Sequence, residues 1–269
     1  MYSGLMVEFL VADVGSRFVP YEEGLVLQQT RRRAVCNGAE NVVILLEHEP
    51  VYTAGRRTDD SERPTDGSAV IDVDRGGKLT WHGPGQLVGY PIVKLREPLD
   101  VVAYVRTLES VLIAVLADAG VEGYRVEGRS GVWVQVGSGP FSKDAKIAAI
   151  GIRVADGVTS HGFALNCSNS LEPYAHIVAC GIRDAGVTTI TDVLGRRVDP
   201  VSLIESVERH LREAFEAYDS PVARREVDAA DAANSLAMDR AGHPDPAAGP
   251  EPVGAATPSA EDARVGATA

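Results

Sequence analysis

The chain carries three cysteines, Cys36, Cys167 and Cys180, and the last has the surroundings of a reachable thiol. It sits in IVACGI, residues 177–182, between Ala179 and Gly181, whose small side chains leave the sulfur uncovered. Two chemistries fit. Free cysteine is among the most buried residue types, so Cys180 reads as core packing. Alternatively it is a nucleophile, which requires thiolate and therefore a nearby cation, because an unperturbed thiol with a pKa of about 8.5 is only slightly ionised at neutral pH. Cys36 follows an arginine run at a helix end and reads as incidental, and Cys167 follows a strand and reads as core. No CxxC pair occurs, so the thiols are expected to be free. His176 and Cys180 are four residues apart, but no second ligand pair completes a metal site, and none is expected.

The densest unusual stretch is RGGKLTWHGPGQLVGYP, Arg75–Pro91, with Gly76, Gly77, Gly83, Gly85 and Gly89. Glycine lets backbone approach a ligand closely and leaves N–H groups free to meet an oxygen. The alternative is a long glycine-rich hairpin. Neither GxxxxGK[ST] nor a strand-borne GxGxxG is present, so nothing assigns a nucleotide phosphate. His82 lies inside this loop, where an imidazole either orients a substrate and shuttles a proton or serves as a structural hydrogen bonder.

The elements that must position these residues read as follows. Pro20 and the acidic pair Glu22-Glu23 open a helix to about Cys36, which Asn37-Gly38 stops. A strand follows at Val42–Glu47. Apolar residues at helical spacing mark two more helices: Val101, Val105, Leu108, Leu112 and Val115 after Asp100, and Val201, Ile204, Val207, Leu211 and Phe215 after Asp199-Pro200. Strand-like runs occupy Ala69–Val73, Leu87–Val93, Gly131–Val136, Ile147–Val154 and Val158–Leu165. The last two flank a short Asp-Gly turn, a hairpin signal, with Lys146 opening one strand and His161 and Asn166 on the other. The predicted fold class is α+β: a mixed central β-sheet with flanking helices.

Bulk properties set limits. With 269 residues and 45% hydrophobic residues, one domain with a sizeable core plus a tail is expected. The boundary is placed at 1–221 for the domain and 222–269 for a disordered tail, because the latter is rich in Ala, Pro and Asp with few large apolar residues. A net charge of −12 argues against broad nucleic-acid binding. An acidic partner would need a local basic patch, for which Arg31-Arg32-Arg33, Arg56-Arg57 and Arg75 with Lys78 are candidates. Neither a membrane span nor a secretory signal is read from the sequence, and the expected location is the cytoplasm.

Four segments in order, RGGKLTWHGPGQLVGYPI (75–92), KIAAIGIRV (146–154), HGFALN (161–166) and ACGI (179–182), closely resemble the octanoyltransferases of lipoate biosynthesis, over about residues 5–218. The resemblance implies a biotin/lipoate protein ligase-like catalytic domain. It implies transfer of an octanoyl group from octanoyl-acyl carrier protein to a lysine of lipoyl domains of 2-oxoacid dehydrogenases or of the glycine cleavage H protein. By position, Cys180 matches the acyl-accepting cysteine and Lys146 the lysine that activates it. Arg75, Gly76, Gly77, Lys78, Leu79, Thr80, Trp81 and His82, with Ala149, Ile150, Gly151, Gly162, Phe163 and Ala164, match segments lining the acyl pocket. No cofactor and no metal are implied, and the expected state is a monomer that binds neither nucleic acid nor membrane. Two departures touch loop geometry: Ala179 stands where family members usually carry proline, and Gln135–Lys143 reads as an extended turn.

The implied chemistry is self-consistent. Moving an acyl group from thioester to amide is downhill and needs no ATP, but it needs a nucleophile that holds the group between partners. Lys146 as ammonium would stabilise a Cys180 thiolate, and as free amine would take a proton from the incoming lysine. Thr80 and the backbone N–H groups of Gly76 and Gly77 are candidate oxyanion donors, and Ile150, Phe163 and Leu165 are candidate walls of an apolar slot. Competing functions are an ATP-dependent lipoate or biotin ligase on the same fold, and a non-catalytic acyl-binding protein.

Overall fold

NVVILL is apolar at five of six consecutive positions, the pattern of a strand covered on both faces. In the computed structural model it is β2 (Asn41–Leu46), buried at every residue. The structure describes residues 7–64, 66–137, 139–177 and 185–218, all within the unit Met1–Val227. Cys180, Ala179 and the proposed tail lie outside the described residues.

The remaining strands are β1 (Val7–Ala12), β3 (Val51–Ala54), β4 (Val70–Asp72), β5 (Thr80–His82), β6 (Gln86–Ile92), β7 (Tyr124–Val126), β8 (Arg129–Val136), β9 (Lys143–Ala155), β10 (Val158–Asn166) and β11 (Gly186–Val187). The main sheet has the order β1-β2-β6-β10-β9-β8-β7, with β11 also paired to β9. It is mixed: β1 runs parallel to β2 and β11 to β9, and the other neighbours are antiparallel. A second sheet, β4-β3-β5, carries the start of the glycine-rich loop.

The helices divide the two faces. On one face α1 (Tyr21–Cys36) lies with Val42, Ile44, Leu46, Val88 and Tyr90. On the other, α2 (Val101–Ala119) and α4 (Ile204–Tyr218) pack with Val43, Leu45, Leu87, Ile147, Phe163 and Leu165. Burying one such large side chain contributes about 1.5–3 kcal/mol, so alternation along β2 and β6 divides the core between both faces. The helix ends follow their sequence signals. Asp100 accepts the Ala103 N–H at 2.8 Å, and Gly120 closes α2 with φ +88°. A short α3 (Ile190–Leu194) is capped by Thr189, whose hydroxyl accepts the Asp192 N–H.

Several boundaries differ from expectation. β9 begins at Lys143, so Lys146 is its fourth residue rather than its first. The preceding turn is correspondingly shorter than Gln135–Lys143, since β8 runs to Val136 and pairs there with Lys143. Backbone pairing, to which side-chain polarity is indifferent, extends both strands. Val101 and Val201, expected in the core stripes, are exposed at helix starts, and the α2 stripe instead uses Tyr104, Leu108, Leu112 and Val115. The residues before Ile204 form a 3-10 turn, Pro200–Leu203, that delays α4. The β9–β10 connection is the predicted two-residue turn: Asp156 and Gly157 both have positive φ, 54° and 71°, between paired Ala155 and Val158.

Candidate active site

The site begins with what β9 and β10 omit. Across this hairpin Ala149 lies opposite Ala164 and Gly151 opposite Gly162, while Ala164 on its other side faces Val88 of β6. Four of the smallest residues thus share one patch of the sheet, on the face that α1 covers elsewhere, and a cavity of about 260 Å³ lies over them. The intervening positions, Ile150 and Phe163, border the cavity, but their side chains pack in the core beneath α2. Leu165 belongs wholly to that core and does not line the cavity. Two glycines are also required by close approach: a Cβ at Gly162 would stand 2.1 Å from the Gly89 carbonyl oxygen, and one at Gly151 would stand 3.0 Å from that of Gly76.

Lys146 reaches this cavity through an irregularity. It is three residues from Ala149, and an odd spacing on a regular strand places side chains on opposite faces. Between the pairs Trp133–Lys146 and Val132–Ala148, however, β9 advances two residues while β8 advances one. This bulge sends both Ile147 and Ala148 into the core and turns Lys146 to the Ala149 side. Lys146 is 7% exposed, and its Nζ lies 4.7 Å from the centroid of the Trp133 ring. Among the described residues no carboxylate is within salt-bridge distance of it. A buried ammonium without an anion is costly, and here the cavity is the side left open to one.

The glycine loop forms the opposite wall. Arg75 donates through Nη2 to the Thr53 carbonyl and hydroxyl and through Nη1 to the carbonyls of Gly76 and Lys78, which locks the loop against β3. The Gly76 N–H donates to the Ile152 oxygen at 2.9 Å and fastens the loop to β9. That removes it as a free oxyanion donor, a correction to the sequence expectation. Gly77, Lys78, Thr80 and His82 line the cavity with Arg75. Gly76, Leu79 and Trp81 do not: Leu79 is fully buried, and Trp81 stacks edge-on against Tyr174.

Three buried histidines, His82 within the loop and His48 and His161 beside it, each have a defined tautomer. His82 Nδ1 donates to Gln86 Oε1 at 2.7 Å, since the Gln86 amide nitrogen is committed to the Trp81 carbonyl and to Asn166. His48 Nδ1 donates to the Val19 carbonyl and its Nε2 accepts from the Tyr90 hydroxyl. His161 Nε2 donates to Asp74 at 2.8 Å, and its buried Nδ1 has no partner among the described residues. Burial lowers all three, aided at His82 by His48 and Arg75 and at His161 by Arg75 and Arg153: His48 and His161 to about 4 and His82 to about 3. All are neutral imidazoles at pH 7. His82 is thereby suited to hydrogen bonding rather than to carrying charge.

Sequence reasoning missed Tyr21, Arg57, Val88, Tyr90, Arg129 and His161, which also line the cavity. His161 was visible in HGFALN, Tyr90 in the glycine stretch and Arg57 in the basic pair Arg56-Arg57, but nothing local marked Arg129. The cysteines separate clearly. Cys167 is fully buried in the core, and burial pushes its thiol up to about 12, so it is inert at neutral pH. Cys36 is exposed at the end of α1. Cys180 lies outside the described residues, but both flanks of its segment are tied to the cavity wall. On one side the Tyr174 hydroxyl donates to the Trp81 carbonyl. On the other, Val187 pairs with Lys146, and the Thr188 N–H donates to the Lys146 oxygen.

Residues 20–212, which hold this mixed sheet and the lysine and glycine loop that face across its cavity, match the Lipoyl protein ligase A/B catalytic domain family. The chain belongs to that family. Its similarity is high to the octanoyltransferase of Leifsonia xyli subsp. xyli, 60% identical over 211 residues covering 78% of this chain and 93% of the relative. The octanoyltransferase of Thermobifida fusca is 56% identical, covering 76% and 88%. Among solved structures, a bi-partite lipoate protein ligase from Thermoplasma acidophilum superposes with a TM-score of 0.60 at 14% identity, covering 84% of this chain and 93% of that one. A lipoate-protein ligase A bound with ATP gives 0.58 at 14%, covering 82% and 94%. These structures bear out the α+β, lipoate ligase-like fold.

Proposed function

We propose that this chain is an acyltransferase that moves an octanoyl group from octanoyl-acyl carrier protein to a lysine of a lipoyl domain through a thioester on Cys180. Octanoyl transfer is the named activity of relatives at 56–60% identity. The observation that carries the chemical reading is Lys146: a buried ammonium, without a carboxylate among the described residues, at the edge of a cavity floored by Ala149, Gly151, Gly162 and Ala164. Cys180 is three residues from Ile177 and six from Gly186. Six residues span at most about 20 Å, and Gly186 pairs with Ala145, next to Lys146.

The steps balance without ATP. The Cys180 thiolate attacks the thioester carbonyl of the donor; the new S–C bond forms, the donor S–C bond breaks, and the carrier leaves as a thiolate that takes its proton from the Lys146 ammonium, leaving Lys146 as a free amine. The acceptor lysine amine then attacks the Cys180 thioester, forming an amide and returning the thiolate to its place beside Lys146, which receives the proton the amine gives up. Thr80, at the cavity wall, is a candidate donor to the developing oxyanion.

Arg57, Arg75, Lys78, Arg129 and Lys146 line the cavity, and among the described residues no carboxylate does. In a chain of net charge −12, this concentrates positive charge where an acidic carrier would present its acyl group. Of the other basic run, Arg31 and Arg32 are paired with Glu8 and Asp156, which favours the Arg56-Arg57 side. The acceptors fitting the reading are lipoyl domains of 2-oxoacid dehydrogenases and the glycine cleavage H protein. Residues 1–221 would be the catalytic domain and 222–269 an appendage. A cytoplasmic monomer is consistent with this; among the described residues no helix is long and apolar enough to cross a membrane.

The test is to incubate the protein with octanoyl-carrier protein and a lipoyl domain with and without ATP. Equal octanoylation in both supports transfer. Product only with ATP and free octanoate indicates a ligase, and tight acyl binding without product indicates a binding protein.

A further inference from the structure

Resting on the reading of Lys146 as partner of the nucleophile, we propose that Trp133 is its positioning residue, a ring face that holds the ammonium toward the cavity without neutralising it. Trp133 is fully buried on β8 and is the cross-strand partner of Lys146 at the bulge. Its indole N–H donates toward the Arg129 carbonyl at 3.4 Å, which fixes the ring against its own strand. The Lys146 Nζ sits 4.7 Å from the ring centroid, well inside the distance at which the quadrupole of an indole attracts a cation.

The choice of partner has a chemical consequence. A carboxylate in the place of Trp133 would satisfy the ammonium and compete with a thiolate for it. An aromatic face attracts the cation without supplying a negative charge, so the full charge stays available to sulfur or to a developing oxyanion. Beside this pair on the described strands lie Arg129 on β8, Asp144 on β9 and Tyr124 on β7, and across the cavity it faces stand Arg57, Arg75, Lys78, His82 and His161 with Tyr21 and Tyr90. Asp144 accepts from the Tyr124 hydroxyl at 2.6 Å, and Arg129 also lies over the Trp133 ring, at 5.7 Å from the centroid. The bulge selects the face on which Lys146 emerges, and the ring selects where its end points.

The test measures the rate of Cys180 alkylation by iodoacetamide from pH 5.5 to 9.5 in the full chain. Site-specific replacement of Trp133 by progressively fluorinated tryptophans weakens the ring quadrupole at nearly constant volume, and Trp133→Phe and Trp133→Leu complete the series, with thermal melting used to select folded proteins. The expected result is a graded fall in the pH 7 rate, about threefold to thirtyfold by the end of the series. The midpoint of the rate profile should move to higher pH, and Trp133→Phe should retain more of the rate than Trp133→Leu. Unchanged rate and midpoint in the fluorinated proteins, while Lys146→Ala still slows alkylation, would overturn the role of Trp133 alone. If Lys146→Ala has no effect either, the underlying pairing of Lys146 with Cys180 is wrong.

Discussion

Lys146 and Ala149 line one cavity although they are three residues apart on the same strand. The extra residue that β9 inserts opposite Val132–Trp133 makes this possible, and it places a cation at the end of a floor of small side chains. The first prediction follows from that cation. Lys146→Ala should slow Cys180 alkylation at pH 7 by about tenfold, the effect of one unit on a thiol pKa, and should reduce transfer at least as much. Lys146→Arg should restore part of the alkylation rate but little of the transfer, because guanidinium keeps the charge but cannot act as a base.

The small-residue floor sets the second. Ala164 pairs with both Ala149 and Val88 and lines the cavity, so methyl groups added there reduce the space over the floor. Ala164→Val and Ala149→Val are expected to lower kcat/KM for octanoyl donors by about tenfold or more while sparing butanoyl donors, since each excluded methylene costs about 1 kcal/mol or more. Parallel losses for both chain lengths would show that the acyl chain does not lie on this floor. Gly162→Ala differs in kind, because its Cβ meets the Gly89 backbone, and it should lower Tm.

Much of this arrangement was legible in the sequence, and the rest was hidden for identifiable reasons. The Asp156-Gly157 turn, the α2 cap at Asp100 and the buried β2 announce themselves because turn, cap and burial signals are local. Alternation in KIAAIG and HGFALN contains the floor, since Ala149, Gly151, Gly162 and Ala164 occupy alternate positions, but only pairing brings them opposite one another. The bulge at Ile147 left no local mark, because it is a property of two strands together. Gly76 illustrates the opposite error: its type suggested a free N–H, whereas the fold spends that donor on Ile152. Arg57 comes to the cavity from the loop after β3 and Arg129 from the start of β8, so no motif spacing connects them.

The buried histidines make stability depend on pH with a definite sign. His48 and His161 are lowered to about 4 and His82 to about 3, chiefly by burial, whereas the unfolded chain protonates them near 6.5. Below that value the unfolded state binds protons that the folded state refuses. Their stabilisation is therefore complete above about pH 6.5 and is lost progressively down to pH 4 or 3, at up to about 1.4 kcal/mol per pH unit for each histidine. Thermal melts should show Tm falling steeply from pH 6.5 to 4.5. A His48→Gln variant, if folded, should show a shallower dependence over that range, and an equal slope would remove His48 from this account.

The most direct measurement weighs the intact full-length protein after exposure to octanoyl-carrier protein without ATP or acceptor. The account predicts a single octanoyl adduct that hydroxylamine removes, that is present in Cys36→Ser and absent in Cys180→Ala, and that disappears when a lipoyl domain is added as the domain gains the same mass. An adduct persisting in Cys180→Ala, or transfer to the lipoyl domain by that variant at the parental rate, would contradict it.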